Sequence, residues 1–166
     1  MKMKTNYFTI PFFILLLAIL GGMIVSDGLV WYALIAKPTW TPPSLVFSSA
    51  WIVIYILSGY SLLIVWNRFK RDRRFNAIMG LWLINAALYL AYVYLFFTLH
   101  LALLATLCAA VLVLDVIAIS VLIWKKSKRA ALVLLPYAFW ALFATYLTYA
   151  VWHMNQFDAI TRLTSK

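Results

Sequence analysis

Four aspartates (Asp27, Asp72, Asp115, Asp158), one cysteine (Cys108) and two histidines (His100, His153) are the chain's whole stock of acids, thiols and imidazoles, and glutamate is absent. This is too little for chemistry built on clustered carboxylates, which needs two acids to meet across one bond. A single cysteine makes no internal disulfide and no all-cysteine metal site. Both histidines fall at expected helix ends without an i, i+4 partner. There is no Gly-rich phosphate loop, zinc motif or Ser-His-Asp signature, so neither a metal nor a required cofactor is expected. Asp115 differs from the other acids because it falls near the centre of a long apolar run, where a charge costs about 2.5 to 3.5 kcal/mol on insertion scales. With no Lys or Arg at its depth, it is a candidate polar cavity residue, hydrogen-bonded within the protein or serving a ligand or a proton.

The aromatic residues, 17% of the chain, carry more information through their spacing. Trp51, Tyr55 and Ser58 recur at i, i+4, i+7, and Asn85, Tyr89, Tyr92 and Phe96 share a second face. Trp140, Ala144, Leu147 and Val151 form a third, in which the small Ala144 leaves room beside the indole. Three such faces can enclose a flat apolar ligand, each stacked contact adding about 0.5 to 1.5 kcal/mol beyond burial. Ordinary helix packing, with Asn85 bridging two helices, accounts for the same spacing, and both readings stay open here. Segment 27–44 interleaves Gly28, Pro38, Pro42 and Pro43 with Trp31, Tyr32 and Trp40. Its prolines stiffen it, which makes it a candidate lid, although spacing alone favours an interfacial aromatic belt.

What must position these faces is set by composition. The 166 residues are 67% hydrophobic and 11% charged, outside the range of a soluble domain. Five apolar runs, 8–26, 45–66, 77–99, 101–124 and 130–153, are each long enough to cross a bilayer and lack the alternation of barrel strands. The expectation is one domain, 1–166, an all-α integral membrane protein folded as a five-transmembrane-helix bundle. Lys2 and Lys4 ahead of the first run imitate a signal peptide. The run exceeds a signal core and no cleavage site follows, so it is read as a span. Alternating the sides puts Lys2, Lys4, Arg68, Lys70, Arg71, Arg73, Arg74, Lys125, Lys126, Lys128 and Arg129 on one face and Lys37, Arg162 and Lys166 on the other. The positive-inside rule then predicts a cytoplasmic N-terminus and an outer C-terminus, and explains the +10 net charge without nucleic acid.

The run Trp31-Tyr32-Ala33-Leu34, the segment Lys37-Pro38-Thr39-Trp40-Thr41-Pro42-Pro43, and Phe47, Trp51, Tyr55, Gly59 and Trp66 beyond it resemble the first loop and second helix of the TspO/translocator protein family (TspO/MBR, peripheral-type benzodiazepine receptor), in its prokaryotic form. Pro136 through Leu147 resembles that family's fifth-helix signature, and Phe96-Phe97 the end of its third helix. The resemblance implies a five-helix protein of the cell membrane, usually a homodimer. It implies binding of porphyrins such as protoporphyrin IX or haem, and of other lipophilic molecules, in a pocket closed by the first loop, with a role in tetrapyrrole handling or stress response. It places Trp31, Tyr32, Trp40, Pro42, Phe47, Trp51, Tyr55, Asn85, Trp140, Ala144 and Leu147 in that pocket, and makes Trp51 and Trp140 the candidates for light-dependent breakdown of protoporphyrin. Transport of tetrapyrroles or sterols is a further alternative. The chain departs from the family pattern at Tyr89 and Tyr92-Val93, at Cys108 where an acid is common, and at Thr148 where Asn is usual. After Tyr149 no Lys or Arg completes a cholesterol-recognition pattern.

Overall fold

A computed structural model describes residues 5–155; Lys2, Lys4, Arg162 and Lys166, which enter the charge count above, lie outside them. Among the described residues the chain runs through α1 (Asn6–Leu34), α2 (Ser44–Arg68), α3 (Arg73–Val93, prolonged by a π-helical turn at Tyr94–Thr98), α4 (Ala102–Trp124), the short α5 (Lys128–Leu132) and α6 (Leu135–Asn155). Five spans are long and apolar enough to cross a membrane, α5 and α6 together forming the last. That last span is divided because Pro136 cannot donate a backbone hydrogen bond to the preceding turn, so the chain restarts a helix with proline in its first turn, where no donor is missed.

The first span corrects the expected boundary. Asp27 and Gly28 interrupt the apolar run and suggested an end at residue 26, yet α1 continues to Leu34 and the connection shrinks to residues 35–43. Gly28 is a packing residue here: a Cβ on it would lie 2.6 Å from the Phe97 carbonyl oxygen and 2.7 Å from Phe97 Cβ. Trp31 and Tyr32 therefore sit on the last turns of a helix. The Lys37 ammonium folds back to donate to the carbonyls of Tyr32 (2.5 Å), Ala33 (3.3 Å) and Ile35 (3.1 Å), which satisfies helix-end acceptors and opposes the negative end of the helix dipole.

Helices α3, α4 and α6 form the packed centre, with Ile78, Ala105, Val116, Ile119, Ile123 and Val151 almost wholly buried, and α2 adds Val65. The first helix leaves most of its surface uncovered, with 11% of its apolar stretch buried against 39% to 44% in the other four spans. The two basic connections meet at one end, where Lys126 pairs with Asp72 at 3.0 Å. At the opposite end the Asn155 side chain meets Ala36. This is the alternation five spans require.

Candidate functional site

Where α1, α2, α3 and α6 converge, the interior holds a cavity of about 30 Å³, lined on α1 by Phe13, Ile14 and Leu17 and elsewhere by Trp51, Tyr55, Ser58, Trp82, Asn85, Tyr89 and Tyr137 among others. This is room for about one water molecule. Four of the expected pocket residues, Trp51, Tyr55, Asn85 and Tyr89, reach it. The Tyr89 ring closes against Trp51 at 5.1 Å between centroids, and its hydroxyl accepts a 2.5 Å hydrogen bond from Tyr55. It is seated over Gly21, where a Cβ would come within 2.7 Å of the ring, so bare backbone on α1 makes the space that this tyrosine fills.

The other expected residues form two neighbouring groups. Trp31 stacks on His100 at 4.1 Å, and Trp31 and Tyr32 both present edges to Phe96, at 5.4 and 6.0 Å. His100 holds this position with a positive φ of 57°, which ends the π-helical turn. In the third group Phe47 meets Trp140 edge-on at 5.4 Å, and Trp140 packs on Phe143. Trp40 stacks on the exposed Tyr146 at 5.4 Å and touches Phe143, so it lies against the flank of α6 and does not line the cavity. Pro42 is half-buried just ahead of α2, while Ala144 and Leu147 are buried on α6.

Polar groups in this apolar interior are tied in short chains. Asn85 donates to Asp115 Oδ2 at 2.8 Å and accepts from the Tyr137 hydroxyl at 3.0 Å, which sets the orientation of its amide. Asp115 is buried behind Asn85 and does not line the cavity, and its Oδ1 has no partner among the described residues. Thr148 gives its one hydroxyl proton to the Ala144 carbonyl, so Tyr92 donates to Thr148 Oγ1, 3.0 Å away. Cys108 donates weakly to the Leu88 carbonyl at 3.4 Å. Ser58 Oγ and the indole nitrogens of Trp82 and Trp140 have no hydrogen-bond partner among the described residues. Tyr137 and Trp82 were missed by sequence reasoning. For Tyr137 the signal was present, because the helical stripe Trp140, Ala144, Leu147 extends one turn back to it.

The ends of the loop are clamped as well. Ala36 N–H donates to Asn155 Oδ1 at 3.0 Å, and Asn155 Nδ2 donates back to the Ala36 carbonyl at 2.9 Å. The short connection is thereby fastened to the end of α6 across 119 residues of sequence.

Comparison with known proteins agrees with this architecture. A model of the TspO/MBR family matches residues 9–153. Over 136 residues the chain is 33% identical to Protein CrtK of Rhodobacter capsulatus, covering 81% of this chain and 83% of that protein. It is 38% identical over 126 residues to the Tryptophan-rich protein TspO of Archaeoglobus fulgidus (75% and 80% covered), and 34% over 132 residues to the human Translocator protein (78% of each). With five apolar spans, and a family match that runs from the first of them to the last, the chain belongs to the TspO/MBR family of multi-pass integral membrane proteins.

Proposed function

We propose that this protein binds porphyrins, protoporphyrin IX or haem, together with other flat lipophilic molecules, between the aromatic faces of α1, α2, α3 and α6, and serves tetrapyrrole handling or stress response. The observation that carries this reading is the convergence of Trp51, Tyr55, Tyr89 and Tyr137 on one interior point, with Phe47 and Trp140 alongside. Their chemistry suits the ligand, since apolar ring faces stack on a macrocycle and a few donors orient its polar edge. The unpartnered Trp140 indole N–H and the Ser58 hydroxyl are such donors. Ligand pockets measure about 300 to 1,000 Å³, so a cavity of about 30 Å³ admits a macrocycle only after the walls part. The lightly buried α1, which supplies one wall, is the element that moves, and the 35–43 connection is its lid.

In this reading the N-terminus and the basic loops face the cytoplasm, the protein resides in a prokaryotic cell membrane, and two copies associate as a homodimer. Titrating protoporphyrin IX against tryptophan fluorescence, with Trp51→Phe and Trp140→Phe beside the wild type, tests the assignment. Loss of about 0.5 to 1.5 kcal/mol per indole, a two- to twelvefold weakening, is expected, and equal affinity in all three overturns it. The ring-lined cavity at Trp51, with Trp140 in the neighbouring group on Phe47, also supports light-dependent breakdown of bound porphyrin as a second reading. Bleaching no faster than that of free porphyrin would eliminate it.

A further inference from the structure

At the end of the bundle opposite Asn155, the α2–α3 and α4–α5 connections enclose a cleft of about 330 Å³ lined by Arg68, Phe69, Lys70, Lys126 and Ser127. One acid stands beside it. Asp72 Oδ1 accepts from the Phe75 backbone N–H at 2.9 Å, capping α3, and Oδ2 pairs with Lys126 at 3.0 Å. That backbone bond first, and the Lys126 ammonium second, hold the Asp72 carboxyl below its ordinary range. The acid is committed to the cap and to Lys126, which also lies 5.5 Å from the centroid of the buried Phe69 ring. Arg68 and Lys70 have no ion-pair partner among the described residues, so three cations face one acid.

The depth of the cleft is marked by its surroundings. Exposed Trp66, Trp124 and Tyr60 each carry a cation over the ring: Arg71 at 4.3 Å, Lys128 at 6.0 Å and Arg129 at 5.5 Å. Trp and Tyr settle at headgroup level, and a cation above each ring places this end of the bundle against the charged layer of a bilayer. The phosphates of a bilayer's lipids lie at that level. The donors suit a phosphate: a planar guanidinium that grips two oxygens, a mobile ammonium, and the Ser127 hydroxyl, which accepts from Ala130 N–H and keeps its own proton to give.

We propose that this cleft is a binding site for the phosphate of an anionic lipid headgroup, gripped by Arg68 and Lys70 with Lys126 held at the wall by Asp72. It is independent of the aromatic interior, which shares none of its lining residues. The test uses the full chain in nanodiscs of phosphatidylcholine doped with phosphatidylglycerol, and native mass spectrometry to count the lipids retained. Arg68→Gln/Lys70→Gln is compared with Arg73→Gln/Lys125→Gln, which removes equal charge from the same end outside the cleft. The first variant is expected to lose at least about tenfold more of its preference for phosphatidylglycerol than the second, whose own loss measures the surface charge that the two share. Equal loss in both, or loss in neither, overturns the site in favour of diffuse surface charge. Displacement of the lipid by micromolar inorganic phosphate would overturn the lipid assignment, whereas retention in its presence supports it. If the double variant does not fold, Lys70→Met at an exposed side chain is compared with Lys125→Met outside the cleft; a severalfold larger loss in the first is expected, and equal retention in the two overturns the site.

Discussion

Substituting Asn155 by alanine tests whether the short connection after α1 gates the interior. The Asn155 amide makes two hydrogen bonds to Ala36, between the connection and the end of α6, while a third, to the Val151 carbonyl at 2.7 Å, stays within α6. Only the first two resist opening. Both are solvent-exposed, so each is placed at the low end of the net range, about 0.5 kcal/mol, for a total of about 1 kcal/mol. That amounts to about a fivefold larger open fraction. The Trp40–Tyr146 stack and the Lys37 cap remain, so the loop loosens without coming free. If the connection is the lid proposed above and closes over both the empty and the loaded interior, protoporphyrin association and dissociation should both accelerate about fivefold while affinity barely moves. Stopped-flow quenching of tryptophan fluorescence reads both rates. Asn155→Asp, which keeps the acceptor for Ala36 N–H and loses the donor, should fall between. Rates equal to wild type would refute the gate. A changed affinity at unchanged rates would refute it too, since Asn155 would then belong to binding.

Two predictions concern stability and use thermal unfolding in detergent. Gly28→Ala should destabilise by about 1 to 3 kcal/mol, because the added Cβ meets the backbone oxygen and Cβ of Phe97, neither of which can swing aside; Gly22→Ala, with nothing within 4 Å of the new atom, should be neutral or mildly stabilising, and equal melting of the two variants would contradict the packing role. Asp115→Leu strands the Asn85 donor and should cost about 1 to 3 kcal/mol, but combined with Asn85→Leu the losses should fall short of additive by about 0.6 to 1.7 kcal/mol; strict additivity would show that the two residues act separately.

Which parts of this protein were legible in the chain follows from the range over which each property acts. The five spans, the meeting of basic connections at one end and the shared faces of Trp51 with Tyr55 and Asn85 with Tyr89 are properties of one helix at a time, and apolar length, loop charge and a 3.6-residue period report them directly. Properties of two helices were not legible in this way. Asp27-Gly28 reads locally as a helix end; only the approach of Phe97 makes Gly28 a contact and lets α1 run to Leu34. Likewise, Asp115 read as an isolated cost until the rotation of α4 against α3 set it beside Asn85, with Tyr137 completing the chain from α6. The size of the interior was decided last and only by the tertiary structure, because it depends on how closely α1 approaches Tyr89. Side-chain spacing predicts which rings face inward, but the distance between helix backbones determines whether those rings enclose a ligand or one another.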